Sequence, residues 1–286
     1  MVEYNWENIF HRRIGWLAIA MLLFLRIPFT IAITYMFPSD RYTGPAIYHV
    51  GTYLLTAFLI WWERNDLAIV HLETLSLVII VLLKPVQTLV LQSLKIDTPL
   101  TFPHPVGLLL WVIAIGLVIT LWISGYRPPK VEMKTWNWLA FGLFIGIGLS
   151  ALENYNVFQA DAMVNSPSPV SLSSIAASTG TAFLYQLGFA SVSEEPLFRG
   201  FLWGYLRRSG WKEGWIWLAQ AAVFMSAHLY FRDALPFEFW VVVPLAGLIL
   251  GFLAWRSRSI APGMMAHAAY NAGAYLILLR FLDSFQ

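Results

Sequence analysis

Apolar residues in this chain fall in long unbroken blocks, without the strict alternation of half-buried strands or the one-sided stripe of soluble surface helices. The blocks lie at about 14–36, 46–62, 67–93, 105–125, 135–151, 175–206, 215–230, 238–255 and 260–282. A helix needs about 20 apolar residues to cross the hydrocarbon core of a bilayer, and most of the blocks approach or pass that length. Pro38, Pro45, Pro99, Pro103, Pro128, Pro129, Pro236 and Pro262 punctuate them. Each is a natural helix limit, because proline supplies no amide donor and disfavours helix in the residue before it. Lys84-Pro85 interrupts the block 67–93, which is therefore one bent helix or two short ones. The pattern predicts an all-α fold, a polytopic transmembrane helix bundle of eight or nine spans.

Composition strengthens this reading. Of 286 residues, 58% are hydrophobic and 12% charged, with a mean hydropathy of +0.64. A soluble domain carries about 25% charged residues. The net charge of +2 is spread over loops, so nothing points to a nucleic-acid partner. With no cysteine, disulfides, thiolate ligands and cysteine nucleophiles are excluded together. Met1 to Arg13 carries mixed charge and no short apolar run with a small-residue cleavage site, so the first block is expected to be a retained span.

Loop charges give an orientation. With the N-terminus cytoplasmic in a nine-span arrangement, Arg12, Arg13, Arg64, Arg127, Lys130, Lys134, Arg207, Arg208, Lys212, Arg256 and Arg258 lie inside. Only Arg41, Lys95 and Arg232 lie outside, a strong positive-inside bias. Trp61, Trp62, Trp122, Trp136, Trp138, Trp211, Trp215 and Trp255 sit near predicted span ends, as interfacial anchors should. The longest polar gap, Glu153 to Ser174, has no lysine or arginine and reads as an extracytoplasmic loop. Little ionisable chemistry precedes it. Arg26 and Lys84 each stand just before a proline, where they can bond carbonyls freed at a bend or snorkel, and His49 and His71 lie near span ends.

The chemistry gathers after the gap. Ser193-Glu194-Glu195-Pro196-Leu197-Phe198-Arg199 places three charges in an apolar run, at an insertion cost of a few kcal/mol each. Glu195 and Arg199 share a helical face at i, i+4 and are expected to pair. Glu194 is rotated about 100° away. It is left desolvated and beside a like charge, a setting that suits a general base. Pro196, with Ser193 as a potential N-cap, predicts two helices or one kinked near residue 193. Later blocks add Phe224 with His228, then His267 with Asn271, each pair four residues apart. Gly263, Ala266, Ala268, Ala269, Ala272, Gly273 and Ala274 allow the last helix to pack closely on its neighbours. Two carboxylates, two imidazoles, an amide and a guanidinium can activate water and stabilise an oxyanion, which points to hydrolysis.

Glu-Glu-x-x-x-Arg, then Phe-x-x-x-His, then His-x-x-x-Asn on successive late helices resembles the CPBP family. This family comprises the CAAX proteases and the bacteriocin-processing or Abi proteins, and is similar to the Ras-converting endopeptidase. The resemblance covers about residues 135–286 and implies an intramembrane glutamic protease domain there; the N-terminal transmembrane helices over 1–134, read from the apolar blocks, are not needed for it. The resemblance further implies that Glu194 activates water with help from His228, that His267 and Asn271 bind the oxyanion, and that Glu195 with Arg199 holds Glu194. Phe224 becomes a packing or substrate-binding residue. The implied substrate is a membrane-associated peptide or protein, prenylated or bacteriocin-like, in a prokaryotic plasma membrane.

No cofactor is expected. Two histidines and two glutamates are a donor set for zinc, but the chain has no His-Glu-x-x-His, and the resemblance implies a metal-free mechanism. Neither a Gly-x-Ser-Gly nucleophile nor a pair of intramembrane aspartates is present to suggest another protease class. A non-proteolytic scaffold or immunity protein of the same fold is the alternative. A proton-coupled transporter is disfavoured because no inverted repeat is visible.

Overall fold

The computed structural model describes residues 43–62, 105–125, 133–161, 172–229 and 235–283, with isolated positions at 17, 20, 21, 64, 65, 77, 78, 81, 82, 85 and 232. Arg12, Arg13, Arg26, Arg41, His71, Lys84, Lys95, Arg127 and Lys130 lie outside the described residues, as does the side chain of His49. So does most of the predicted spans at 14–36 and 67–93.

Among the described residues every regular element is helical. They are α1 Thr43–Trp62, α2 Pro105–Ile123, α3 Met133–Asp161, α4 Leu172–Gln186, α5 Val192–Glu195, α6 Trp203–Arg208, α7 Glu213–Ser226, α8 Val243–Ser257 and α9 Ala261–Asp283. Three π-helical segments join them: π1 Leu187–Ser191, π2 Pro196–Leu202 and π3 Glu238–Val242. Except at the C-terminal end of α3, their limits follow the described apolar blocks to within a few residues, as expected where apolar length decides the helix. Met133–Asn154 and Glu238–Ser257 are long and apolar enough to cross a membrane, and Val50–Trp62 is a shorter apolar helix. Trp61, Trp122, Trp136, Trp211 and Trp215 near helix ends are exposed.

One expectation is corrected. The polar gap does not begin a loop at Glu153, because α3 runs on to Asp161. The extra turns have local support. Asn154 Nδ2 donates to Ser150 O at 2.7 Å and to Gly273 O on α9 at 3.5 Å, so a residue read as loop-forming instead ties two helices. The stretch 162–171 lies outside the described residues.

The run from Leu172 to Arg208 is helical throughout, α4–π1–α5–π2–α6. No helix starts at residue 193, which lies inside α5. Pro196 instead opens π2. A proline within a helix removes one amide and presses on the preceding turn, and a widened turn absorbs both effects. Such π turns recur at functional sites.

The chain forms two compact units. The second comprises residues 97–195 and 245–286. Its framework is α3 against α9, running in the same direction and almost in contact at the backbone. Gly142 faces the carbonyl of Pro262, and Gly146 that of Ala266. Ser150 faces Gly273 one turn on. This is a small-residue stripe at four-residue spacing, the pattern that lets membrane helices approach where lipid supplies no hydrophobic driving force. Leu149, Ala246, Leu250, Leu253 and Ala266 form the buried core between α3, α8 and α9. A short turn joins α8 to α9. Arg258 adopts φ 55° there, and Ser259 caps α9 by accepting from the Ala261 amide at 3.2 Å.

The first unit comprises residues 1–96 and 196–244. In it α1 packs on π2, and α6 and α7 fold back on the same segment. Glu213, at the head of α7, clamps the α6–α7 connection. Arg207 Nε and Trp203 Nε1 donate to its carboxylate at 2.6 and 2.8 Å. Burial pushes the Glu213 pKa up, but the hydrogen bonds from Arg207 and Trp203 and the Arg207 charge outweigh it, leaving the group below its usual value.

Two predictions follow from these contacts. A methyl at Gly146 would collide with the Ala266 carbonyl, whereas one at Gly148 meets nothing within 4 Å. In detergent, Gly146→Ala should lower stability by about 1–3 kcal/mol, while Gly148→Ala is neutral or stabilises by up to about 1 kcal/mol. Equal unfolding temperatures for the two variants would contradict the close helix approach. Because the Glu213 pKa is depressed on folding, its contribution is fully present above the ordinary glutamate value and fades as pH falls through the folded one. The difference in Tm between wild type and Glu213→Gln should therefore shrink between neutral and strongly acidic pH.

Candidate active site

Within the second unit, four sequence-predicted residues converge from two elements. Glu194 and Glu195 end the short α5, immediately after π1, and His267 and Asn271 lie one turn apart on α9. Glu195 is fully buried, and Glu194 and His267 are nearly so. His267 Nδ1 lies 2.8 Å from Glu195 Oε1, while its Nε2 lies 3.9 Å from Glu194 Oε2. One imidazole thus stands between two carboxylates. An ionised carboxylate only accepts, so Nδ1–H donates to Glu195 and Nε2 is the nitrogen on the Glu194 side. The Nε2 to Glu194 separation is too long for a direct hydrogen bond, yet a single oxygen atom can reach both groups.

Two further residues complete the local arrangement, and the sequence pattern did not single out either role. Gly263, one turn before His267, makes room for Glu195. A Cβ there would stand 2.9 Å from Glu195 Oε2. Gln186, buried at the end of α4, accepts a hydrogen bond from Asn271 Nδ2 at 3.2 Å. The available signal for Gln186 was an uncharged polar residue deep in an apolar block.

Arg199, Phe224 and His228 belong to the first unit. Arg199, on π2, is buried, with its guanidinium 4.4 Å from the centre of the Phe224 ring and 5.7 Å from that of Phe198. Phe198 meets Phe224 edge to face at 5.2 Å. This stacking gives the buried cation a cation–π environment. Phe224 is itself buried, and its ring centre lies 4.5 Å from that of His228. His228 Nδ1 is 2.8 Å from the Phe224 carbonyl. A carbonyl can only accept, so Nδ1 carries the hydrogen, and the neutral ring presents a lone pair at Nε2.

Among the described residues, no group of three or more His, Asp or Glu side chains is arranged to hold a metal ion. The chemistry available in the second unit is acid–base: paired carboxylates, an imidazole oriented by one of them, and an oriented amide.

The glycine at 263 gives a direct test of this packing. Gly263→Ala forces the buried Glu195 carboxylate to move and should lower stability by about 1–3 kcal/mol. Gly180→Ala, with nothing within 4 Å of the new methyl, serves as the matched control. A Gly263→Ala protein with wild-type Tm would mean that Glu195 does not occupy this position.

Comparison with protein families matches residues 176–273 to the model described as type II CAAX prenyl endopeptidase Rce1-like. No curated protein and no solved structure matches the chain. The matched stretch is less than half of the chain but contains both glutamates, Arg199, Phe224, both histidines and Asn271. In agreement with the resemblance drawn from its motifs, this part of the chain is similar to the type II CAAX prenyl endopeptidase Rce1-like family.

Proposed function

We propose that the protein is an intramembrane endopeptidase that hydrolyses peptide bonds of membrane-associated substrates, using water activated by Glu194. The observation that carries this reading is the buried Glu194–His267–Glu195 arrangement inside the segment matched by the family. Buried ionisable groups in an apolar bundle are costly, and functional by default.

The chemistry can be followed atom by atom. Glu194 takes a proton from water as the water oxygen bonds to the scissile carbonyl carbon. The carbonyl oxygen becomes an oxyanion, which accepts hydrogen bonds from Asn271 Nδ2–H and from His267 on its Nε2 side. Glu195 accepts from Nδ1–H of the same ring and so fixes its direction. As the tetrahedral intermediate collapses, the C–N bond breaks and Glu194 returns its proton to the leaving amine. His228 belongs to the first unit, and its assistance to Glu194 rests on the family resemblance. Its Nδ1–H bond to the Phe224 carbonyl leaves Nε2 as the basic nitrogen, the tautomer that such a role requires. Arg199 and Phe224 act by positioning, through their stacking.

The domain assignment follows the same reading, with the protease over 135–286 and additional membrane helices over 1–134 in a bundle of eight or nine spans. The positive-inside bias supports a cytoplasmic N-terminus and cleavage near the cytoplasmic face of a prokaryotic plasma membrane. The substrate class is a prenylated peptide ending in a C-a-a-X sequence, as the family description suggests. A bacteriocin-like membrane peptide is the other class to assay.

The reading is tested with purified full-length protein in detergent and a fluorogenic farnesylated C-a-a-X peptide. Glu194→Ala and His228→Ala should each lower kcat by about 100-fold or more, the usual weight of a positioned base, while retaining a cooperative unfolding transition. Cleavage at the wild-type rate by both variants would reject the mechanism, and no cleavage by the wild-type protein of either substrate class would favour a non-proteolytic scaffold.

A further inference from the structure

On an unbroken α-helix, Gln186 and Glu195 would face opposite ways. Nine residues advance about 900°, half a turn beyond two full turns. Yet both residues reach α9 on the face that carries His267 and Asn271. Glu195 meets His267, and Gln186 meets Asn271. The segment between them explains how. Each π turn takes up one extra residue, so π1, Leu187–Ser191, removes roughly 100° of the offset. The Ser191 hydroxyl donates to the Gln186 carbonyl five residues back, at 3.3 Å, which pins the backbone of Gln186 at the start of this wide turn.

We propose that Gln186 is a positioning residue for the reaction, acting through Asn271; this rests on the assignment of Asn271 as an oxyanion donor. A primary amide can present either its oxygen or its nitrogen to a substrate. Gln186 Oε1 accepts one Nδ2 hydrogen of Asn271, which fixes the amide so that the second Nδ2 hydrogen, not Oδ1, meets the developing oxyanion. Without the acceptor, Asn271 can turn its oxygen toward negative charge and oppose the reaction. Gln186 is buried, so water does not readily replace it as the acceptor. The π turn thereby acquires a chemical purpose: it brings a residue two turns upstream of the glutamates onto their face of the helix.

The test uses the full-length protein with the farnesylated fluorogenic peptide. Gln186→Met preserves length without an acceptor, and Gln186→Glu preserves an acceptor. Gln186→Met should lower kcat about ten- to one-hundred-fold with KM changed less than about threefold, since the interaction it supports forms only in the transition state. Gln186→Glu should stay several-fold above Gln186→Met. A second reading of the contact comes from the side-chain amide signals of Asn271 in protein labelled with 15N-asparagine, assigned by their loss in Asn271→Ala. These signals should shift in Gln186→Met and remain near their wild-type position in Gln186→Glu.

The inference is overturned if Gln186→Met leaves kcat intact, if Gln186→Met raises KM in place of lowering kcat, or if both variants lose activity equally. It is also overturned if the Asn271 signals are unmoved in Gln186→Met. Failure of the proposed function looks different. In that case wild type and Glu194→Ala behave alike toward the peptide, while the amide signals still report whether Gln186 holds Asn271.

Discussion

A fully buried carboxylate inside an apolar helix bundle is the constraint on which the arrangement of the second unit depends. Glu195 is removed from water altogether, and a buried charge persists only where polar groups compensate its lost hydration. His267 supplies that compensation at 2.8 Å. To do so, α9 must lie close to α5, and Gly263 must leave space where any side chain would press on Glu195. The small residues along α3 and α9 serve the same end, because they bring the backbone of α9 within reach of its neighbours. The packing stripe and the ionisable pair are two aspects of one geometry.

The π segments are the second structural device. Each changes the angular register of a helix by one residue without breaking it, and two of the three flank the glutamates. π1 precedes the glutamates and π2 follows them, opening on Pro196. Between them α5 presents Glu194 and Glu195 on a single α-helical turn. The relation of these two residues to one another is therefore set by α geometry, and their relation to α4 by the wide turn that precedes them. Arg199 lies within π2 and rests over the Phe224 ring at 4.4 Å. A guanidinium is well suited to such a place, since its planar, weakly hydrated charge stacks on an aromatic face.

Much of this was legible in the amino-acid order. Block length predicted the helices, because apolar run length and proline position decide where a helix can persist in a membrane. The ionisable residues named themselves, since charge and imidazole are rare in such blocks and their one-turn spacings select a face. The gap after Glu153 misleads because polarity alone suggests a loop. In the folded chain Asn154 has partners on its own helix and on α9, and the helix continues. Gln186 went unassigned for a related reason. An uninterrupted α-helical period places it away from Glu195, and nothing in the residues Leu187–Ser191 announces a π turn.

The sequence by itself determined the class of the fold, the presence of a carboxylate–histidine–amide set and its resemblance to a family, because these depend on composition, spacing and motif. Tertiary structure alone decided which groups are partners. Helical spacing pairs only residues three or four apart along the chain. The contact of Glu195 with His267 spans 72 residues, and that of Asn271 with Gln186 spans 85. Such contacts exist only once glycines and small side chains have let separate helices approach, and once a π turn has rotated one of them.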